Sequence, residues 1–208
     1  MRKEFVVALR VSLVTLVLTG LAYPLAMTGA AQALFSHQAN GSLVRDEKGA
    51  VVGSKLIGQV FVQPGYLQGR PSAAGNGYDA TASSGSNLGP TSKKLQDRVA
   101  GDVVRLQKEN PDAPLPVPDD LVTASASGLD PELSPAAALW QVPRIARARQ
   151  VSPERIREVI DARIEGRDLG VFGEPRVNVL VVNLALDQKF GRPVPPLPAA
   201  AVAPAAQK

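Results

Sequence analysis

Residues 11–34 carry no charged side chain, and this stretch limits the fold more than any other. An α-helix rises about 1.5 Å per residue, so the run spans about 36 Å, enough for a hydrocarbon core of roughly 30 Å. Arg2, Lys3 and Arg10 precede it, and nothing after Phe35 is comparably apolar. Two readings follow. The run is either an uncleaved membrane anchor or a secretion signal. In the second, residues 11–22 are the apolar region, Pro24 breaks the helix, and Ala31-Gln32-Ala33 supplies an A-x-A cleavage motif. Either way the basic flank places the rest of the chain across a membrane.

The chain has 208 residues and a formal net charge of +4. Residues 1–35 hold Arg2, Lys3, Arg10 and Glu4, which leaves 20 basic against 18 acidic side chains beyond them. A near-neutral domain is no electrostatic footprint for nucleic acid. With no cysteine and the single histidine His37, disulfides and thiolate metal sites are excluded and a zinc site is disfavoured. With Gly and Pro at 18 each, the remaining residues make a single turn-rich domain.

Residues 36–62 read as β. Leu43-Val44-Arg45 and Ala50-Val51-Val52 flank a turn-prone loop, and residues 56–62 form a second apolar run interrupted by Gly58, which points to a bulge or a close backbone approach. Residues 63–90 have neither a helical nor a strand period, and Tyr66, Leu67, Tyr78 and Leu88 are placed to pin them as an ordered loop. Residues 91–110 predict an amphipathic helix with Leu95, Val99, Val103 and Leu106 on one face, stopped at Asn110-Pro111. A proline-rich, extended connector follows over 111–118. Ser134-Pro135 opens another helix, with Pro143 expected to kink it and Arg144, Arg147 and Arg149 near its C-terminal end. Ser152-Pro153 opens a third, with Ile156, Val159, Ile160 and Ile164 as its apolar face and Gly166 as its stop. Residues 177–184 are β-branched and apolar on both parities, which predicts a central strand. The proline- and alanine-rich end reads as a disordered tail.

One pattern repeats. Residues 84–90 and 125–131 both read S-x-S-x-L-x-P, and both lead to a capped helix. Ser, Gly and Pro are what such loops use for turn geometry alone, and the functional alternative is a pair of loops presenting carbonyls and hydroxyls at one surface. Residues 75–80 have G-x-G-x-x-A spacing but lack the preceding strand and following helix of a dinucleotide loop. Residues 85–91 lack the lysine of a phosphate-binding loop. The only histidine lies beside the apolar run, and the carboxylates match no calcium loop, so no catalytic constellation emerges.

Several blocks carry a specific resemblance. Gly69-Arg70-Pro71-Ser72, Ser86-Asn87-Leu88-Gly89-Pro90, Ser127-Gly128-Leu129-Asp130-Pro131 and Gly173-Glu174-Pro175-Arg176-Val177-Asn178-Val179-Leu180 occur in the order of one family. Ser134-Pro135-Ala136-Ala137-Ala138 and Gln141-Val142-Pro143-Arg144 fit it too. Over about residues 1–187 the chain resembles the C subunit of the bacterial Kdp potassium-transporting P-type ATPase. Glu132-Leu133 stands where that family usually carries His-Ile.

The resemblance implies a non-catalytic accessory subunit of an ATP-driven, high-affinity K⁺ import complex. Its partners would be a K⁺-channel-like A subunit, a phosphorylated ATPase B subunit, a small F peptide and the lipid bilayer, with no nucleic acid. It implies no cofactor bound by this chain; K⁺, and ATP with Mg²⁺, are used by the complex. A role in raising ATP affinity sits poorly with the topology, because ATP is cytoplasmic; a role at the external K⁺ entrance suits the polar loops better. The expected fold is α+β. Residues 1–10 are a cytoplasmic N-terminus, 11–34 one transmembrane helix in the inner membrane, 36–187 a periplasmic mixed α/β domain, and 188–208 a Pro/Ala-rich disordered tail. Arg70, Asp79, Ser86, Asn87, Ser127, Asp130 and Gln141 are expected to contact a partner or the K⁺ entrance. The alternative is a secreted periplasmic binding protein or hydrolase released after Ala33.

Overall fold

The computed structural model describes residues 1–46 and 48–193. The expected tail falls mainly on residues 194–208, outside the described residues. The chain divides into two units, Met1–Leu56 and Ile57–Lys208.

The first unit is dominated by helix α1 (Arg2–Leu34), which among the described residues is the one helix long and apolar enough to cross a membrane. Its 33 residues correspond to about 50 Å. A π-turn at Leu18–Ala22 interrupts the α-helical bonding just before Pro24. Proline supplies no N–H and clashes with the preceding turn, and widening that turn lets the helix continue. Thr19 Oγ1 donates to Thr15 O at 2.8 Å in the same region. A short turn of helix, α2 (Ser36–Ala39), leads to the expected hairpin. Its strands β1 (Leu43–Arg45) and β2 (Val51–Ser54) pair antiparallel, with an irregularity between Val44 and Arg45.

The second unit contains α3 (Lys93–Glu109), β3 (Glu132–Leu133), α4 (Pro135–Trp140), α5 (Val142–Arg149), α6 (Pro153–Asp161), β4 (Ile164–Glu165), β5 (Arg176–Asn178) and α7 (Val179–Phe190). The three short strands form an antiparallel sheet in the order β3-β5-β4. Helix α6 packs against α5 and α7, and α4 packs against α6 and β5. The core joins Leu106, Trp140, Ile145, Ile156, Ile160, Val177, Val182 and Leu186. The architecture is α+β, with one N-terminal apolar helix.

Of the apolar stripe expected on α3, Leu106 is buried and Val99 and Val103 pack against the core, while Leu95 is only half-buried. Ser134 Oγ accepts the Ala137 N–H at 3.2 Å, the cap that its sequence predicts. The helix expected around Pro143 breaks at Gln141 into α4 and α5. Arg144 therefore falls in the first turns of α5, and only Arg147 and Arg149 occupy a helix end.

Five expectations are corrected. The strand predicted over 177–184 is only Arg176–Asn178; the rest is the start of α7. Asn178 Oδ1 accepts the Val181 N–H at 3.1 Å and starts that helix, and apolar side chains on both parities suit a buried helix as well as a strand. Helix α7 also runs to Phe190, past the boundary expected at 187/188. Helix α6 stops at Asp161, not Gly166, and Ile164 pairs with Val177 in the sheet. Residues 56–62 lie outside the strands and leave Val60 and Val62 exposed, although Gly58 does mark a close approach: a Cβ there would lie 2.6 Å from Asp130 O. The connector over 111–118 is bent, not extended, by a turn in which Ala113 N–H donates to Asn110 O.

Candidate functional site

Residues 64–70 have no secondary structure, yet their backbone is closely held. Asn183 of α7 brackets Leu67: its Oδ1 accepts the Leu67 N–H at 2.7 Å and its Nδ2 donates to Leu67 O at 2.9 Å. Gln141 brackets Gln68 in the same way, at 2.9 Å for both bonds. The amide side chains take the place of a neighbouring strand. Arg144 donates to Pro64 O and Arg149 to Gly65 O, each at 2.6 Å. Arg149 also pairs with Asp187 at 2.8 Å, lies over the Tyr66 ring, and shares Asp187 with the Tyr66 hydroxyl. Leu67 is fully buried as a result.

Beyond this clamp the chain enters a polar network. The Arg70 guanidinium donates to Asp130 Oδ2 at 3.1 Å, and to Thr123 O and Oγ1 at 3.3 Å each. Tyr78 OH donates to Arg70 O at 2.6 Å. Burial, reinforced by the Asp130 carboxylate, pushes the Tyr78 phenol above its ordinary range. Ser72 Oγ donates to Gly128 O at 2.6 Å and accepts the Ala74 and Tyr78 N–H groups.

The repeated S-x-S-x-L-x-P segments meet each other. Ser84 N–H and Ser83 Oγ both donate to Ser127 O, at 3.0 and 2.9 Å. Gly128 has φ +66°, and a Cβ there would lie 2.6 Å from both Ala74 N and Ser84 O, so the junction admits only glycine. The repeat thus builds one surface from two loops.

Of the residues expected at the site, the fold joins Arg70 with Asp130 and places Ser127 at the loop junction. Ser86 is half-buried in the first loop; Asn87 beside it is exposed with φ +52°. Asp79 is exposed in a separate turn, where the Thr81 hydroxyl and N–H hold its carboxyl below the usual aspartate range. Gln141 stands apart: it is 1% exposed, brackets Gln68 and accepts from Arg144. Sequence reasoning passed over Asn183, Arg144 and Arg149. The signal for Asn183 was a lone amide inside an apolar run; that for Arg144 was its spacing three residues after Gln141.

The carbonyls of Thr123, Ser127, Gly128 and Leu129 all accept hydrogen bonds from this chain's own donors, Leu129 O from Gly58 N–H at 2.8 Å. These bonds hold the loops together. Residues 75–80 form a turn in which Gly77 and Asp79 N–H both donate to Ala74 O, without the strand and helix a dinucleotide loop requires.

A family model described as K+-transporting ATPase, c chain, matches residues 5–188. The chain belongs to the KdpC family. The potassium-transporting ATPase KdpC subunit of Myxococcus xanthus is 63% identical over 201 residues, covering 97% of this chain and 93% of that protein. The KdpC subunit of Caulobacter vibrioides (strain NA1000 / CB15N) is 56% identical over 181 residues, 87% and 89% of the two chains. That of Rhodopseudomonas palustris (strain BisB5) is 56% identical over 199 residues, 90% and 98%. KdpC is an accessory subunit of a potassium-transporting P-type ATPase, not its catalytic one.

Proposed function

We propose that this chain is the membrane-anchored subunit that supports assembly and activity of an ATP-driven K⁺ importer. In this reading α1 stays uncleaved in the inner membrane, residues 1–10 are cytoplasmic, and residues 36–187 are periplasmic. The partners are the channel-like A subunit, the phosphorylated B subunit and the small F peptide. The observation that carries the reading is α1 itself: a KdpC-family chain presents a 33-residue apolar helix whose membrane-length stretch has none of its surface buried. Such a surface calls for lipid or other spanning helices, and Gly20, Gly29 and Thr19 are small enough to allow close helix approach. The paired loops 69–90 and 121–131 then serve as the docking surface. K⁺ and Mg²⁺–ATP belong to the partners in this scheme.

Deleting residues 36–187 tests the reading. The expected result is loss of K⁺-dependent ATP hydrolysis by the purified complex; unchanged activity would overturn it. N-terminal sequencing separates anchor from secreted protein. A mature chain beginning near Met1 fits the anchor, and one beginning at Leu34 fits release.

A further inference from the structure

We propose that the cavity beside Arg144 is a carboxylate-binding site. The cavity has a volume of about 500 Å³, and its lining includes apolar Val62, Pro64 and Ala148 together with charged Glu109, Arg144 and Arg147. Arg144 is only 4% exposed. Its guanidinium donates to Pro64 O at 2.6 Å and to Gln141 Oε1 at 2.5 Å, both neutral acceptors. Among the described residues, no carboxylate forms an ion pair with it.

The neighbouring charges cancel in pairs. Arg147 lies 3.0 Å from Asp112, and Glu109 lies 3.1 Å from Arg105. Arg144 remains a buried positive charge with no direct ion pair; Glu109, bonded to Arg105, acts on it only through space. Burial pushes its pKa down to about 10, which leaves it a cation at neutral pH. A buried cation with no bonded counter-charge is costly, and an anion bonded to it in the cavity lowers that cost.

The lining selects among anions. A planar carboxylate matches the guanidinium fork, while Val62, Pro64 and Ala148 accept a short carbon chain. The Glu109 carboxylate in the same wall disfavours a dianion such as phosphate. The ligand is a monocarboxylate, either a free small acid or an Asp or Glu side chain of a partner polypeptide.

The test uses the full chain in detergent with ¹⁵N-labelled arginine, titrated at fixed ionic strength with sodium propionate and separately with inorganic phosphate. The expected result is a saturable shift of the Arg144 Nε signal with propionate, and phosphate binding at least about tenfold weaker. Glu109→Gln narrows that gap. Ala148→Phe fills the cavity without touching the two Arg144 hydrogen bonds and abolishes the response, with the melting temperature as the control for folding. No saturable shift, an undiminished shift in folded Ala148→Phe, or phosphate binding as well as propionate would each overturn the site. Once propionate binding is established, the source follows from the complex. Ala148→Phe lowers retention of the subunit if a partner supplies the carboxylate, and leaves it unchanged if the ligand is free.

Discussion

Two irregular segments of the second unit lie in opposite surroundings. Residues 64–70 have their backbone claimed by buried side chains from α4–α5 and α7, and Leu67 is fully buried. The backbone bonds described for residues 167–173 stay within the segment: Asp168 and Phe172 exchange both of theirs, and Leu169, Val171 and Phe172 stand 90%, 69% and 65% exposed. The contrast lies in which groups satisfy the backbone. A segment that closes its own hydrogen bonds stays at the surface, even with apolar side chains. One that receives donors and acceptors from neighbouring helices joins the core.

Truncating a clamp residue breaks the comparison most severely. Gln141→Ala strands the Gln68 N–H and C=O and removes an Arg144 partner. Each orphaned buried group costs about 1–3 kcal/mol, so an expected loss of about 3–5 kcal/mol is checked by chemical denaturation. Asn183→Ala strands two groups and costs somewhat less, about 2–4 kcal/mol.

A smaller effect comes from Tyr78, where the clamp runs into the loop platform. Its folded pKa is raised, so the neutral phenol is the stabilised form. That stability is complete below the ordinary tyrosine value near 10 and is lost as pH rises through the raised one. Tyr78→Phe should cost about 1 kcal/mol at pH 8, with the difference from the parent shrinking in denaturation curves above pH 10. Least affected is the self-bonded turn. Phe172→Ser should change stability by less than about 0.5 kcal/mol; a loss as large as that of the clamp variants would show that the two segments are not distinct.

What the sequence made legible follows the same division. Elements specified by local chemistry were readable: α1 from its uncharged run, the β1–β2 hairpin from its turn, α3 from its stripe, and α4 from Ser134-Pro135. Elements decided by distant partners were not. Residues 179–184 carry a pattern that a buried strand and a buried helix share, and the cap at Asn178 settled it. Ile164 fits a helix face by spacing but is taken by Val177 across the sheet. Within the candidate site, the Arg70 and Asp130 blocks were visible, but their pairing spans 60 positions. Gln141 was visible as a residue while its burial was not, because a bracketing amide has no periodicity to betray it.

The central claim is that the paired loops serve a partner as well as the fold. The most direct measurement is K⁺-dependent ATP hydrolysis by complexes carrying Asp79→Lys or Asp130→Lys, each first shown to be folded by its melting curve. The account predicts reduced retention of the subunit, or a rise of about fivefold or more in the K⁺ concentration for half-maximal activity. If both variants are retained and hydrolyse ATP with unchanged K⁺ dependence, the loops only shape the domain and the claim is wrong.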